Sequence, residues 1–186
     1  ERGDIKVRDL VNLLPMLDEL CLLQLTGTQV LSALENSVSQ YPRLEGRFAQ
    51  VSGVSFTFDA AKTPLERIDE TSIRIGGEPI QRDKNYKLVT KDYLRKGKDG
   101  YDVFMDGICL ADGEQAGILP SIVRDCFASL ELLNGESESA KRSSTFQATR
   151  LMEQLKLEKV GDGPDMLKRY AINPSIEGRI VCLNPA

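Results

Sequence analysis

Tyr93 and Asp99 are the side chains of this 186-residue chain best suited to hold a ligand. They stand six residues apart in Tyr93-Leu94-Arg95-Lys96-Gly97-Lys98-Asp99-Gly100-Tyr101. An ionised aspartate only accepts hydrogen bonds, and its two oxygens match a pair of vicinal hydroxyls, as on a ribose edge. A nearby ring offers a flat face to a base or a sugar. Gly97 and Gly100 bracket Asp99, and a glycine-bracketed turn lets backbone and carboxylate come close to a ligand. The same residues also fit a plainer reading. Asp-Gly is a common turn dipeptide, and a tyrosine at a strand end is often part of the core.

The chain contains no histidine. It therefore lacks the usual residue for proton transfer near neutral pH and for metal ligation. No Ser/His or Cys/His arrangement exists, and no pair of carboxylates is singled out by spacing as an acid/base couple. Cys21, Cys109, Cys126 and Cys182 form no Cys-x-x-Cys pair, which argues against a structural zinc. Cys21 sits in the apolar run Leu20-Cys21-Leu22-Leu23 and reads as a buried free thiol, although two disulfides could form among the four. From Arg82 to Lys98 there are seven basic residues and two acids, which would give either a phosphate-attracting field or a solvated strand face. Gly76-Gly77 and Gly161-Asp162-Gly163 read as ordinary turns, and no phosphate-binding glycine-rich loop is present.

The elements that must position Tyr93 and Asp99 follow from periodicity. Ile5, Leu10, Leu13 and Leu14 share a helical face, stopped by Pro15. Residues 20–25 read as a strand, followed by an amphipathic helix carrying Val30, Leu31, Leu34 and Val38, with Thr26 or Thr28 as N-cap. Val54, Phe56 and Phe58 alternate with Ser55 and Thr57, a half-buried strand. Ile73 and Ile75 lead into a Gly76-Gly77 hairpin, and residues 86–90 form another strand that leads into the Tyr93–Tyr101 stretch. Residues 116–133 are helical. Strands cluster rather than alternate with helices, so the fold class is α+β, a mixed sheet flanked by helices. The organisation expected is a domain over 1–133, a flexible polar segment over 134–145, and an appendage over 146–186. That appendage holds a helix at 148–155 and an added strand at 179–183.

Composition sets further bounds. Apolar residues make up 41% of the chain, enough for an ordinary core. The net charge of -4 argues against general nucleic-acid binding. No apolar run reaches the roughly 18 residues of a membrane helix. The start at Glu1-Arg2-Gly3-Asp4 reads as the boundary of a piece of a longer chain. The cysteine pattern and the absence of a glycosylation sequon lean towards an intracellular setting.

Three motifs, taken in order, point to a family: Leu25-Thr26-Gly27-Thr28-Gln29-Val30-Leu31-Ser32-Ala33-Leu34-Glu35, then Gly46-Arg47-Phe48-Ala49-Gln50-Val51-Ser52-Gly53, then the Tyr93–Tyr101 stretch. Together they resemble the C-terminal domain of the 5'-nucleotidase family, which includes UDP-sugar hydrolases and 2',3'-cyclic phosphodiesterases. The resemblance covers residues 3–107. It implies the substrate-binding half of an enzyme whose N-terminal metallophosphoesterase domain holds a pair of divalent metals. This half would carry no cofactor and no catalysis of its own. It implies that Asp99 holds ribose hydroxyls and Tyr93 stacks on the base, with Gly97 and Gly100 shaping the loop. The family's second stacking ring falls at Met16, after Pro15, so a two-ring clamp becomes a ring and a thioether. Lys98 replaces a glycine of the family loop. The implied partners are that N-terminal domain and a nucleotide or sugar-phosphate substrate, with no nucleic acid and no membrane segment. Met16, Lys98 and the unmatched tail also admit another reading, a protein-interaction module that keeps the fold without the site.

Overall fold

Residues 5–134, 157–160, 169–172 and 176–185 are described by the computed structural model of the chain. The elements run α1 (Val7–Leu13), β1 (Leu20–Thr26), α2 (Gly27–Val38), β2 (Val54–Asp59), β3 (Ile68–Ile75), β4 (Glu78–Pro79) and β5 (Asn85–Lys91). They continue with α3 (Asp92–Arg95), β6 (Ile108–Ala111), α4 (Gly113–Ala116), α5 (Leu119–Asn134), β7 (Leu157–Val160), β8 (Arg169–Ile172) and β9 (Ile180–Leu183). The class is α+β, with its strands in two main sheets. A three-stranded antiparallel sheet has the order β5-β1-β6, and a four-stranded mixed sheet has the order β4-β3-β2-β9. β7 and β8 pair with each other.

Packing divides the chain into two units. One comprises Met16–Leu119 with Glu177–Ala186, and the other Glu1–Pro15 with Pro120–Ile176. The first unit holds Tyr93, Asp99 and the core. In β1 the side chains alternate strictly, so Cys21, Leu23 and Leu25 lose all solvent contact while their neighbours stay half-buried. Thr26 ends β1 and caps α2. Its hydroxyl accepts from the Gln29 N–H at 3.3 Å, and the Gln29 side chain accepts from the Thr26 N–H at 2.8 Å. α2 then buries Val30, Ala33, Leu34 and Val38 against β1 and the Phe56, Phe58, Ile68 and Ile73 face of β2 and β3. The Gly76-Gly77 link has both φ angles positive, at 61° and 89°, the geometry that matches a tight hairpin to strand twist.

β9 adds to the edge of β2 in parallel, Phe56 beside Ile180 and Asp59 beside Leu183. Arg179 donates to the Val51 carbonyl, and Asn184 donates to Asp59 at 3.1 Å, one contact at each end of the added strand. All four cysteines are free thiols, and burial pushes that of Cys21 up.

In the second unit α1 starts with the Asp9 carboxylate accepting from the Lys6 N–H at 2.8 Å. It leaves Val7, Val11 and Leu13 exposed. α5 runs three residues later at its start than the sequence pattern suggests, because Gly117 closes the separate short helix α4. The helix expected at 148–155 and the polar stretch beyond Asn134 lie outside the described residues. No helix among the described residues is long and apolar enough to cross a membrane.

Candidate functional site

Tyr93 and Asp99 come together because β5 ends in α3, a single turn, and the chain then reverses through Gly97 and Gly100. Asp92, the first residue of α3, is buried, and its N–H donates to the Glu19 carbonyl at 2.9 Å, tying the end of β5 to the start of β1. Its carboxylate accepts from Arg95 Nε at 2.6 Å and Lys96 Nζ at 2.5 Å. Those two hydrogen bonds, that of Lys96 first, hold the Asp92 carboxyl below the usual carboxylate range. A carboxyl whose folded-state pKa is depressed stabilises the fold above the ordinary aspartate value and loses that contribution as pH falls through the lower one. The window therefore lies below about pH 4. Asp92→Asn is expected to flatten the acid limb of the stability profile there, measured by urea unfolding at a series of pH values. An acid limb as steep as that of the unsubstituted chain would refute this assignment.

Asp99 adopts φ 53° and ψ 27°, the left-handed region, between Gly97 and Gly100, both at φ 76°. Asp tolerates this conformation better than most residues. The turn directs the carboxylate back towards Tyr93, whose hydroxyl donates to Asp99 Oδ1 at 3.3 Å. A Cβ added at Gly46 would stand 3.3 Å from Asp99 Oδ2, so the bare Gly46 backbone gives the second oxygen its room. Tyr93 is 50% exposed and Asp99 is half-buried, so the corner faces solvent and is not sealed into the core. Beneath it, Tyr101 is buried, stacks on Phe104 at 4.9 Å between centroids, and donates its hydroxyl to the Arg47 carbonyl at 2.6 Å. Burial, reinforced by the charge of Asp99, pushes the Tyr101 phenol up to about 12, so it remains a donor at neutral pH.

Met16 is exposed three residues ahead of Glu19. Since Leu20 pairs with Lys91, Met16 and Tyr93 leave from the same end of the β1–β5 ladder. The basic stretch is largely neutralised locally. Arg82 pairs with Glu70, Lys91 with Asp18, and Arg95 and Lys96 with Asp92. Lys98 is exposed beside Asp99. Among the described residues no group of three or more Cys, Asp or Glu side chains could hold a metal ion.

Two residues of the corner escape sequence reasoning, Asn36 on α2 and Arg47 in the following loop. Asn36 Nδ2 donates to the Asp99 carbonyl at 3.0 Å, and Arg47 Nη1 donates to Asn36 Oδ1 at 3.3 Å. Nothing in their local sequence marks a site, although Arg47 stands in the second of the three motifs.

The model of the family described as "5'-nucleotidase, C-terminal domain" matches residues 1–106. The chain belongs to this family. The trifunctional nucleotide phosphoesterase protein YfkN of Bacillus subtilis (strain 168) is 32% identical over 120 residues, 63% of this chain and 8% of that protein. The 5'-nucleotidase of Rattus norvegicus is 30% identical over 137 residues, 70% of this chain and 23% of that protein. The chain thus spans less than a quarter of the length of these curated relatives. The crystal structure of a 5'-nucleotidase precursor from Thermus thermophilus aligns with all of this chain and 29% of its own, at a TM-score of 0.65 and 22% identity. That likeness concerns the fold: a 5'-nucleotidase C-terminal domain in which β1, α2 and β5 carry the Tyr93–Asp99 turn.

Proposed function

We propose that this 5'-nucleotidase C-terminal domain is the nucleoside- or sugar-binding half of a metal-dependent phosphoester hydrolase. The metal pair and the attacking water belong to an N-terminal domain, and this half alone does not turn over substrate. One observation carries the reading: a half-exposed ring and a carboxylate meet at 3.3 Å on a left-handed turn open to solvent. In this reading Asp99 accepts the two hydroxyls of a sugar, the Tyr93 face covers a base, and Met16 lies across from it. Gly97 and Gly100 give the turn its shape.

Magnitudes fix what to look for. One base–aromatic stack contributes about 1–3 kcal/mol, and hydrogen bonds to a charged group add about 1.5–3 kcal/mol. The sum corresponds to binding of about millimolar strength. A titration of the 15N-labelled chain with adenosine is expected to shift the Tyr93 and Asp99 resonances at millimolar ligand. Asp99→Ala is expected to remove the advantage of adenosine over 2',3'-dideoxyadenosine. No shift at several millimolar would instead favour an interaction module, a reading supported by the exposed Val7, Val11 and Leu13 of α1.

A further inference from the structure

Asp99 is a side chain that faces solvent, yet its backbone is held from below by a closed circuit of hydrogen bonds. The Asp99 carbonyl accepts from Asn36 Nδ2 at 3.0 Å, and Asn36 Oδ1 accepts from Arg47 Nη1 at 3.3 Å. The Arg47 carbonyl accepts from the Tyr101 hydroxyl at 2.6 Å, and Tyr101 follows Asp99 by two residues. The guanidinium is itself fixed by Glu45, which accepts from Arg47 Nε at 3.0 Å. Asn36 is 8% exposed, so its amide has little water to turn to. Its orientation is determined by chemistry. With the amide reversed, its oxygen would meet the Asp99 carbonyl and its NH2 would meet a guanidinium, two repulsive contacts in place of two bonds.

The circuit and the turn require each other. A left-handed aspartate costs conformational energy and persists only where the surroundings impose it. Gly100 leaves the space that Asn36 needs, since a Cβ there would stand 2.7 Å from Asn36 Oδ1 and 3.2 Å from Arg47 Nη1. Rotating Asp99 out of the left-handed region would withdraw its carbonyl from Asn36 and swing its carboxylate away from Tyr93 and Gly46.

We propose that Asn36, oriented by Arg47, is the positioning residue for the Asp99 carboxylate, setting it for a vicinal diol while touching no ligand itself. The inference rests on the sugar-binding reading of Asp99, and its test separates the two. Asn36→Asp is nearly isosteric and keeps an acceptor for Arg47, but it removes the donor to the Asp99 carbonyl.

The test uses the 15N-labelled 186-residue chain with adenosine and 2',3'-dideoxyadenosine. The unsubstituted chain is expected to favour adenosine by about tenfold. In Asn36→Asp the preference is expected to fall to about twofold or less, with affinity for the dideoxy compound unchanged, because stacking on Tyr93 needs no diol. A merely structural role would weaken both ligands together. A second signal needs no ligand: the strong intraresidue HN–Hα NOE of a left-handed Asp99 is expected to weaken in the variant. Arg47→Met, which leaves Asn36 in place but frees its amide, is expected to act in the same direction and more weakly. It serves if Asn36→Asp does not fold. Retention of both the preference and the NOE in the folded variant overturns the proposal. If the unsubstituted chain shows no preference, the sugar-binding reading falls. The NOE then decides whether Asn36 sets the Asp99 backbone.

Discussion

Replacing Glu35 by alanine is expected to cost about 3–5 kcal/mol of folding free energy, seen as a melting temperature lower by on the order of 10 °C. Glu35 lies on α2 at 8% exposure, and its carboxylate caps the start of β3. Oε2 accepts from the Arg67 N–H at 2.9 Å, and Oε1 accepts from the Ile68 N–H at 2.8 Å. Alanine leaves two buried donors without an acceptor, and each orphaned group costs about 1–3 kcal/mol. The same joint is closed from the other side by Arg67, itself 8% exposed. Its Nη1 donates to the carbonyls of Val38, at the end of α2, and of Ser39 and Tyr41 just beyond it, at 2.6, 3.3 and 2.9 Å. Helix and strand are thus locked by reciprocal polar contacts in a place where water cannot substitute. Glu35→Gln keeps one acceptor and is expected to fall between alanine and glutamate. The exposed Arg82–Glu70 pair is shorter, at 2.6 Å, yet its removal is expected to change little, because solvent screens it. An alanine variant that melts with the unsubstituted chain would show that the two N–H groups find other partners.

Gly27→Ala is expected to destabilise by about 2–4 kcal/mol, against the usual sign of such a change. In a helix, glycine to alanine ordinarily gains about 0.5–1 kcal/mol. Here the added Cβ would stand 2.2 Å from the Gln81 carbonyl oxygen, 2.8 Å from its carbon and 3.0 Å from Arg82 Cα. These are backbone atoms, so the whole 81–84 turn must withdraw by about 1 Å to restore contact distance. That turn supplies acceptors to the helix start: the Gly27 N–H reaches the Lys84 carbonyl and the Thr28 N–H the Arg82 carbonyl, both at 3.0 Å. Moving it uncovers helix donors as well as relieving the clash. Urea unfolding with an unchanged slope and a lower midpoint would carry the result. A midpoint equal to or above that of the glycine protein would mean the turn yields freely.

The physical origin of each feature explains how far the sequence could be read. β1, β2 and β5 are legible because one face of each is more covered than the other, fully buried in β1 and only half-buried in β5, and the side-chain period of two survives in the residue order. The start of α2 is legible to within two residues, because Thr26 and Thr28 both suit an N-cap; the structure uses Thr26, which pairs reciprocally with Gln29. The Asp99 turn is legible because glycines flank it so closely. β6 is not, since Ile108-Cys109-Leu110-Ala111 is a short apolar run without alternation, and its place as partner of β1 is decided by a distant strand. Asn36 and Arg47 were invisible for a related reason. An asparagine near a helix end and an arginine in a loop look like surface residues until the fold brings the Asp99 carbonyl to one amide atom of Asn36 and Arg47 to the other. Cys21 is legible as a buried thiol because it stands between Leu20 and Leu22 in an apolar run, and it is indeed free and without solvent contact.

The parallel seam between β2 and β9 has a consequence for synthesis. The unit built from Met16–Leu119 receives its last strand from Glu177–Ala186, after the whole intervening stretch has been made. While a ribosome is still translating that stretch, the edge of β2 stands unzipped, offering bare ladder groups to any neighbouring polypeptide. Nascent chains stalled before Ile180 therefore carry that edge uncovered.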